Sequence, residues 1–523
     1  MYGRFAWGLR GFLKHTLTLE EAKAIIKNRM EERETNFLRL VRKGIFGYPK
    51  SPYLPLMKMA QCEIGDIENM VRSKGLENTL RALREAGVYI TFEEFKGREP
   101  IVRNGQVFHL QALAFDNPHL SSYYYAKSGG TTGPGTRVAI DLDHLAYQVP
   151  NIVVAHESHK ALDIPTAIWF PVPPDSTALI SILYRARFGQ TPRKWFSPFH
   201  TQNIGPSLMN YLVARSFVGL GRLHGVPIPS PELVAMDQAA VIANWASENL
   251  RASGKCLIIC HVSQALRICV CAREQGLDLM GTLFWSGGEP PTPSKVREVN
   301  RTGAQLIPTY IFTEAGYVGV GCARPVDCND IHLFKDLLAL IQYPRQESDG
   351  TTPINAFYFT ALSPTAPKIL LNVESDDYGV MENRTCGCLL ESYGFTEHLR
   401  EIRSFRKLTS DGVTLIGSEM IHILEEILPV HFGGRSLDYQ LVEEEDERGF
   451  TRLSLLISPR VGTINEEAVI DTILKALERS SVSANLARSI WSQTKALRVK
   501  RMEPICTARG KLIPLHLVQH RKD

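Results

Sequence analysis

The sequence lacks the features expected of a protein that crosses a membrane or binds nucleic acid. No apolar run approaches the roughly 18–20 residues that span a bilayer. A net charge of +4 over 523 residues is too small to indicate a polyanionic partner. Residues 1–7 have neither the long apolar centre nor the small-residue cleavage site of a signal peptide. We therefore expect a cytoplasmic protein with no membrane or nucleic-acid partner.

Internal repeats and low-complexity segments are also missing. Ten cysteines would be enough for a disulfide framework, but in a reducing compartment they are better interpreted as free thiols or metal ligands. Because 44% of the 523 residues are hydrophobic, the chain has ample core, and its length indicates about two to four domains.

The order of apolar patterns predicts an α/β protein with two domains. Residues 1–120 favour helices, including one that begins near Leu17 with Thr18 as a possible cap and one at 76–87, while 91–107 favours short strands and turns. Between 121 and about 370 apolar strands alternate with amphipathic helices. We expect strands at 166–172, 256–260 and 305–308, and helices at 231–252 and 294–302.

A polar, glycine-containing stretch at 407–412 separates this body from a smaller α+β unit. The smaller unit has expected strands at 439–442 and 452–457 and a helix from about 466 to 479. The predicted organisation is a large N-terminal domain of mixed sheets and helices, residues 1–410, followed by a small C-terminal domain, residues 411–523.

A glycine-rich stretch follows an aromatic run and precedes an apolar strand. Its small residues and hydroxyls would let backbone N–H groups and side-chain oxygens surround a phosphate. A P-loop needs a lysine before its Ser or Thr, whereas Gly135 is followed by Thr136 and Arg137. A flexible surface turn is the alternative interpretation. The stretch contains Ser128, Gly129, Gly130, Thr131, Thr132 and Gly133.

Two further motifs follow expected strands, and strand ends are where α/β sheets bind ligands. An aromatic side chain there can stack on a purine, a hydroxyl can contact a phosphate, and a carboxylate can hold Mg²⁺. The first motif contains Gly287, Gly288, Glu289 and Pro290, and the second contains Tyr310, Ile311, Phe312, Thr313 and Glu314.

Charged residues come later in the chain. Asp376 and Asp377 suit a pair of ribose hydroxyls, and Lys511 follows a glycine turn. Taken singly, such residues are usually solvated surface.

The order of these motifs resembles the adenylate-forming superfamily of acyl-CoA synthetases, NRPS adenylation domains and luciferases. Within it, the chain looks most like the phenylacetate–CoA ligase branch, over residues 123–511. The resemblance implies that ATP and a carboxylic acid give an acyl-adenylate and pyrophosphate, and that a thiol then displaces AMP. It also implies a small C-terminal domain that moves between the two steps, with Asp411 at the hinge.

The resemblance assigns a role to each motif. Residues 128–133 would hold the β- and γ-phosphates, residues 287–290 would border the adenine, and Tyr310, followed by Ile311 and Phe312, would stack on it. Thr313 would contact the α-phosphate, Glu314 would bind Mg²⁺, and Lys511 would contact carboxylate and α-phosphate oxygens.

Two assignments stay open because the chain departs from the family pattern. Asp377 would hold the ribose, with Asp376 as the alternative. The segment 405–411 matches the family's Gly-Arg-x-Asp-Asp loosely, so the arginine role falls to Arg403, Arg406 or Lys407.

A zinc site is the second expectation. Thiolates and an imidazole in two short clusters suit tetrahedral Zn²⁺, and some members of the branch carry such a site. The alternative is separate buried thiols, as we expect for Cys256, Cys260, Cys269 and Cys271. Five candidates compete for four places, and Cys328 is the first to drop: Cys322, Cys328, His332, Cys386 and Cys388.

We therefore expect an ATP-dependent, AMP-forming ligase that joins a carboxylic acid, expected to be aromatic, to CoA or to the phosphopantetheine arm of a carrier protein. The expected acid pocket lies near 169–174, 196–199, Trp285 and 310–317, while His156, His159, His261 and His398 receive no role. Transfer to an amine or another nucleophile is an alternative. A non-catalytic, zinc-stabilised binding protein is another, and a homodimer is possible.

Overall fold

The computed structural model describes most of the chain. No helix within this part is long and apolar enough to cross a membrane. The described residues are 2–120, 123–127, 137–173, 175–198, 208–345, 354–404, 407–410, 413–416, 420, 423–434, 438–446, 450–478, 491–505 and 515–517.

The N-terminal segment is helical, as its sequence predicts. Thr18 caps the second helix: its hydroxyl accepts from the Glu21 N–H at 3.3 Å, and the Glu21 carboxylate accepts from the Thr18 N–H at 2.8 Å. The helices are α1 Tyr2–Lys14, α2 Leu19–Glu31, α3 Arg33–Leu40, a π-helix Val41–Phe46, α4 Leu54–Met59, α5 Ile64–Lys74, α6 Leu76–Glu85 and α7 Phe92–Phe95.

The expectation of strands and turns over 91–107 is only partly correct. A capping box between Thr91 and Glu94 starts the short helix α7. The strands β1 (Ile101–Arg103) and β2 (Gln106–Phe108) follow as a hairpin.

A twelve-stranded sheet forms the body of the protein, in the order β13-β14-β15-β16-β12-β11-β10-β9-β8-β5-β6-β7. Pairing is parallel from β10 to β7 and antiparallel from β10 to β13. Its strands are β5 Thr166–Trp169, β6 Lys194–Ser197, β7 Pro231–Leu233, β8 Cys256–His261, β9 Thr282–Gly287, β10 Gln305–Phe312, β11 Gly316–Gly321, β12 Ile331–Leu333, β13 Leu338–Arg345, β14 Ile354–Ala361, β15 Val373–Asn383 and β16 Glu397–Ser404.

Helices connect the parallel strands. The expected helix at 231–252 starts later than the pattern indicates, because residues 231–233 form the edge strand β7 and Pro231 lacks the N–H that an interior strand would need. The helices are α8 Leu142–Ser158, α9 Thr177–Ala186, α10 Leu208–Leu223, α11 Ala239–Ser253, α12 Val262–Glu274, α13 Pro293–Asn300 and α14 Leu389–Ser392.

A smaller unit with its own apolar core follows. The core includes Tyr439, Leu453, Ile473 and Trp491. The elements are the hairpin β17 Lys407–Ser410 and β18 Val413–Ile416, a π-helix Ile423–Ile427, α15 Leu428–Phe432, α16 Glu466–Glu478, and a sheet of β19 Tyr439–Glu445, β20 Thr451–Ile457, β21 Leu497–Arg501 and β22 Leu515–Leu517. The mixed α/β class is confirmed, while the boundary at 410/411 stays a prediction.

A buried ion pair fixes α7 to the hairpin that follows it. Both Arg103 Nη atoms donate to the Glu94 carboxylate, at 2.7 and 2.9 Å, and the two residues are 9% and 5% exposed. The guanidinium also lies over the Tyr89 ring, 3.8 Å from its centroid. This pair therefore sets the position of Lys96, which directly follows α7.

We predict that Arg103→Met lowers the free energy of unfolding by about 3 kcal/mol, because it leaves the Glu94 carboxylate buried without its partner. Arg98→Met is the matched control: the Arg98–Glu93 pair is more exposed, and its loss should cost less than about 1 kcal/mol. Urea denaturation of both variants measures the difference. Equal losses of unfolding free energy in the two variants would show that the Arg103–Glu94 pair stabilises the fold no more than the Arg98–Glu93 pair.

Candidate active site

The two central motifs lie side by side at the ends of parallel strands. In the pairing of β9 with β10, Leu283 lies opposite Gln305 and Ser286 lies opposite Pro308. β9 ends at Gly287, whereas β10 continues past Pro308 to Phe312, so the two motifs follow the carboxyl ends of two neighbouring parallel strands. This confirms that both motifs lie at strand ends.

Tyr310 and Asp377 meet at this edge. The Tyr310 hydroxyl donates to Asp377 Oδ2 at 2.7 Å, and the Ser404 hydroxyl donates to Asp377 Oδ1. Burial, followed by the charge of Asp377, raises the pKa of Tyr310 well above its usual value. Of the two candidate aspartates, Asp377 is the one whose carboxylate faces Tyr310, while Asp376 is fully buried.

The residues around Tyr310 define the surface available at this edge. Phe312 packs on Phe359 with ring centroids 5.0 Å apart, and Tyr310 contacts the same ring at 6.2 Å. Ile311 is 42% exposed, and Thr313 is exposed at the strand end. Arg403 is exposed on β16, opposite Tyr378 and next to Ser404.

Glu314 is held by a lysine that sequence reasoning did not identify. Lys96 Nζ lies 2.7 Å from Glu314 Oε1, and the two side chains are 12% and 10% exposed. Burial raises the pKa of Glu314, but the Lys96 ammonium outweighs it and holds the pKa below its usual value of 4.5. The predicted Mg²⁺ ligand is thus an ionised carboxylate with a cation already beside it.

The Glu289 side chain is also occupied. Its Oε1 accepts from the backbone N–H and the hydroxyl of Ser263, at 2.6 and 2.5 Å, in the first turn of α12. Lys295 Nζ lies 3.4 Å from Oε2. An adenine contact would therefore fall to the backbone of residues 287–290 rather than to this carboxylate.

Gly288 and His261 shape the same turn. Gly288 has φ +83°, and a Cβ atom there would lie 2.6 Å from His261 Nδ1. The His261 Nδ1 atom is 2.9 Å from the Gly287 carbonyl oxygen, which can only accept, so Nδ1 is the donor. His261 is a positioning residue that the sequence alone did not indicate.

Part of the predicted site lies outside the described residues. This holds for the glycine-rich loop 128–136, and for Arg406, Asp411 and Lys511. The flanks of the loop are described: β3 (Tyr123–Lys127) and β4 (Arg137–Asp141) form an antiparallel pair that ends with Lys127 opposite Arg137. The loop therefore joins two paired strands.

Four of the five candidate metal ligands come together. The ligand atoms of Cys322, His332, Cys386 and Cys388 all lie within 4.8 Å of one another. His332 Nε2 is 3.1 Å from Cys388 Sγ and 3.7 Å from Cys386 Sγ. His332 Nδ1 lies 2.6 Å from the Phe395 carbonyl oxygen, which fixes the proton on Nδ1 and turns the Nε2 lone pair toward the thiols.

This donor set fits tetrahedral Zn²⁺. A hydrogen bond from Cys322 holds the pKa of the Cys388 thiol below its usual value. Cys328 lies apart from the cluster, with its Sγ donating to the Pro291 carbonyl at 3.7 Å. The other thiols behave as expected for core, since Cys256, Cys260 and Cys269 are buried, although Cys271 is only half-buried.

We predict that Lys96→Met moves the acid loss of stability to higher pH. Because the folded-state pKa of Glu314 is depressed, its contribution to stability is present above 4.5 and is lost as the pH falls through the folded value. Without the Lys96 ammonium, the effect of burial on Glu314 is less opposed, and the pKa of Glu314 in the folded state rises. Urea midpoints between about pH 4 and pH 7 test this. Lys58→Met, at an exposed position on α4, is the control, and parallel pH profiles for both variants would contradict the prediction.

No family model and no curated protein matches the chain. Solved structures do match. A 2-hydroxyisobutyryl-CoA ligase in complex with 2-HIB-AMP and CoA has a TM-score of 0.53 and 13% identity, over 96% of this chain and 91% of that chain.

Two weaker matches are further enzymes. The amide bond synthetase McbA from Marinactinospora thermotolerans has a TM-score of 0.43 and 11% identity, over 74% of this chain and 67% of that chain. The anthranilate CoA ligase AuaEII in complex with anthranoyl-AMP has a TM-score of 0.33 and 11% identity, over 84% of this chain and 72% of that chain. The phenylacetate–CoA ligase branch stays a prediction. The chain therefore has the same overall fold as the 2-hydroxyisobutyryl-CoA ligase, as the resemblance of its motifs led us to expect.

Proposed function

We propose that the protein activates a carboxylic acid with ATP and transfers the acyl group to a thiol. The observation that carries the proposal is the placement of Tyr310–Asp377 and Lys96–Glu314 at the end of one strand, β10, beside the glycine turn after β9. Together they offer an aromatic face, a ribose acceptor and a charged pair for phosphates, at the place where an α/β sheet binds ligands.

In the first step the acid's carboxylate oxygen attacks the α-phosphorus of ATP, and pyrophosphate leaves. Negative charge gathers on the α-phosphate oxygens, so cations aimed at them lower the barrier. Lys511 would supply one cation, and Glu314 would hold Mg²⁺, which neutralises phosphate charge. Thr313, which is exposed beside Glu314, would donate its hydroxyl to the α-phosphate.

In the second step a thiol attacks the carbonyl carbon of the acyl-adenylate, and AMP leaves. We propose CoA as the thiol and an aryl acid as the substrate. Aromatic side chains support the aryl acid: Trp285 and Tyr317 lie next to the motifs, with the Trp285 Nε1 donating to the Tyr317 hydroxyl at 3.4 Å, and Tyr184 packs edge-on against Tyr317 at 5.7 Å.

ATP–pyrophosphate exchange against a panel of aryl, heteroaryl and aliphatic acids tests the first step. The panel includes 2-hydroxyisobutyrate and anthranilate, the acids named for the ligases above. Acid-dependent exchange should fall by about 100-fold or more in Glu314→Gln and in Lys511→Ala. Glu248→Gln, on the exposed face of α11, should retain exchange. Exchange that survives in both site variants would overturn the proposal, and adding CoA to active mixtures then tests thioester formation.

We also propose that Cys322, His332, Cys386 and Cys388 hold one structural Zn²⁺. The purified protein should then contain about one zinc per chain, measured by elemental analysis. Cys388→Ser should lose the zinc and have a lower melting temperature. Cys328→Ser should keep the zinc and the wild-type melting temperature, since Cys328 lies outside the cluster. Equal zinc contents in the two variants would contradict the assignment.

A further inference from the structure

A group of buried polar side chains lies behind the strand ends, and only its two tyrosines, which support the aryl acid, entered the proposed function. We name it the inner polar cluster. Its members come from α8, α9 and β11, and each is no more than 8% exposed. The members are His144, Gln148, His156, Tyr184, Arg185 and Tyr317.

The inner polar cluster continues directly from the active site. Gln148 Nε2 donates to the Ala315 carbonyl at 2.8 Å, and the Tyr317 N–H donates to Gln148 Oε1 at 3.1 Å. Ala315 and Tyr317 follow Glu314 in the chain. The Tyr184 hydroxyl also donates to Gln148 Oε1, at 2.8 Å. The inner polar cluster therefore lies next to the strand end that carries Glu314.

Arg185 is a buried cation that makes no ion pair within the described part of the chain. It is 2% exposed, its Nε donates to the Gln190 carbonyl at 2.9 Å, and its Nη2 donates to Gln190 Oε1 at 3.1 Å. Among the described residues, its Nη1 has no hydrogen-bond partner. Burial lowers the pKa of Arg185 to about 9, so the group is still charged at pH 7. A buried donor without an acceptor is costly, which makes Nη1 a site for an acceptor atom.

His156 presents the complementary atom. It is 1% exposed, and its Nδ1 lies 2.7 Å from the Ile152 carbonyl oxygen, so Nδ1 carries the proton. Burial lowers the pKa of His156 well below 6.5, and the ring is therefore neutral. Its Nε2 is then a lone-pair acceptor, and no residue that the structure describes bonds to it.

Both groups lie against one aromatic wall. The His156 ring stacks on Trp285 with centroids 4.1 Å apart and lies 5.8 Å from the Phe188 centroid. The Arg185 guanidinium carbon lies 5.4 Å from the same Phe188 centroid. Trp285 lies two residues before Gly287 on β9, so this aromatic wall reaches the glycine turn of the proposed active site.

We propose that the acid substrate is a hydroxy-substituted acid, whose hydroxyl oxygen accepts from Arg185 Nη1 and whose hydroxyl proton is donated to His156 Nε2. This proposal rests on the proposed function and names its substrate class. A hydroxyl is both donor and acceptor, as these two atoms require. A second carboxylate or a methoxy group only accepts and would face the His156 lone pair unpaired. An ammonium group only donates and would meet the Arg185 charge.

The first test compares acids on the wild-type protein, so that it does not depend on a variant folding. Benzoates with a hydroxyl, methoxy, methyl or second carboxyl group at the same ring position, in the meta and para series, are compared by kcat/KM in ATP–pyrophosphate exchange. The hydroxy acid should exceed the other three by at least about tenfold at one position, because a site that pairs a hydroxyl rejects analogues without it.

Variants then assign the preference to the two residues. His156→Phe keeps a ring against Trp285 but removes the acceptor, and it should reduce the ratio of hydroxy to methoxy acid toward one. Arg185→Met should reduce the ratio of hydroxy to methyl acid. Arg251→Met, exposed at the end of α11, should leave both ratios unchanged. If the two residues had only a structural role, the variants would lower kcat/KM for all acids equally and the ratios would not change.

Three outcomes overturn the proposal. Equal rates with hydroxy and methyl acids would mean that water or packing satisfies the two atoms. Equal rates with hydroxy and methoxy acids would show that His156 does not accept the hydroxyl proton. A preference for the diacid would show that Arg185 binds an anion rather than a hydroxyl. If no acid supports exchange, the proposed function fails, and titration calorimetry of the same four acids with the wild-type protein decides the hydroxyl preference separately. Equal or absent binding of all four then overturns it.

Discussion

The ion pair between Lys96 and Glu314 is the contact on which the candidate active site depends, because it joins the N-terminal helical segment to the end of the central sheet. It is buried, it keeps Glu314 ionised, and it places a cation where phosphate charge would gather. Any divalent cation that binds Glu314 must share or replace this lysine. The position of Lys96 depends in turn on the Glu94–Arg103 pair beside it. The first hundred residues are thus part of the site.

Polar groups around the strand ends fall into two kinds. Glu289, Asp377 and Glu314 each have a partner that fixes the side chain before any ligand binds. Such fixed groups need little rearrangement in a reaction, which is how enzymes stabilise developing charge. Arg185 and His156, deeper in the fold, each retain an atom that has no hydrogen-bond partner in the described part of the chain. Under the proposed function, the first kind of group would position the reacting groups and the second would select the acid.

The sequence predicted what depends on local pattern and missed what depends on distant contacts. The strands at 256–260 and 305–308 and the grouping of cysteines in short clusters follow from apolar runs and spacing, and the structure confirms them. The Lys96–Glu314 contact joins residues 218 positions apart, so no window of sequence contains it. The helix α7 was missed because four residues give too little periodicity. Residues 128–136 and Lys511 stay predictions, since they lie outside the described residues.

The central claim is that the acid's own oxygen attacks the α-phosphorus of ATP. The most direct measurement supplies ATP, CoA and an active acid labelled with oxygen-18 in its carboxylate, followed by mass spectrometry of the nucleotide product. We expect AMP that carries one oxygen-18 atom, because the bond between the carboxylate oxygen and phosphorus forms first and the bond between the carbonyl carbon and that oxygen breaks on thiol attack. Unlabelled AMP, or ADP with labelled phosphate, would contradict it.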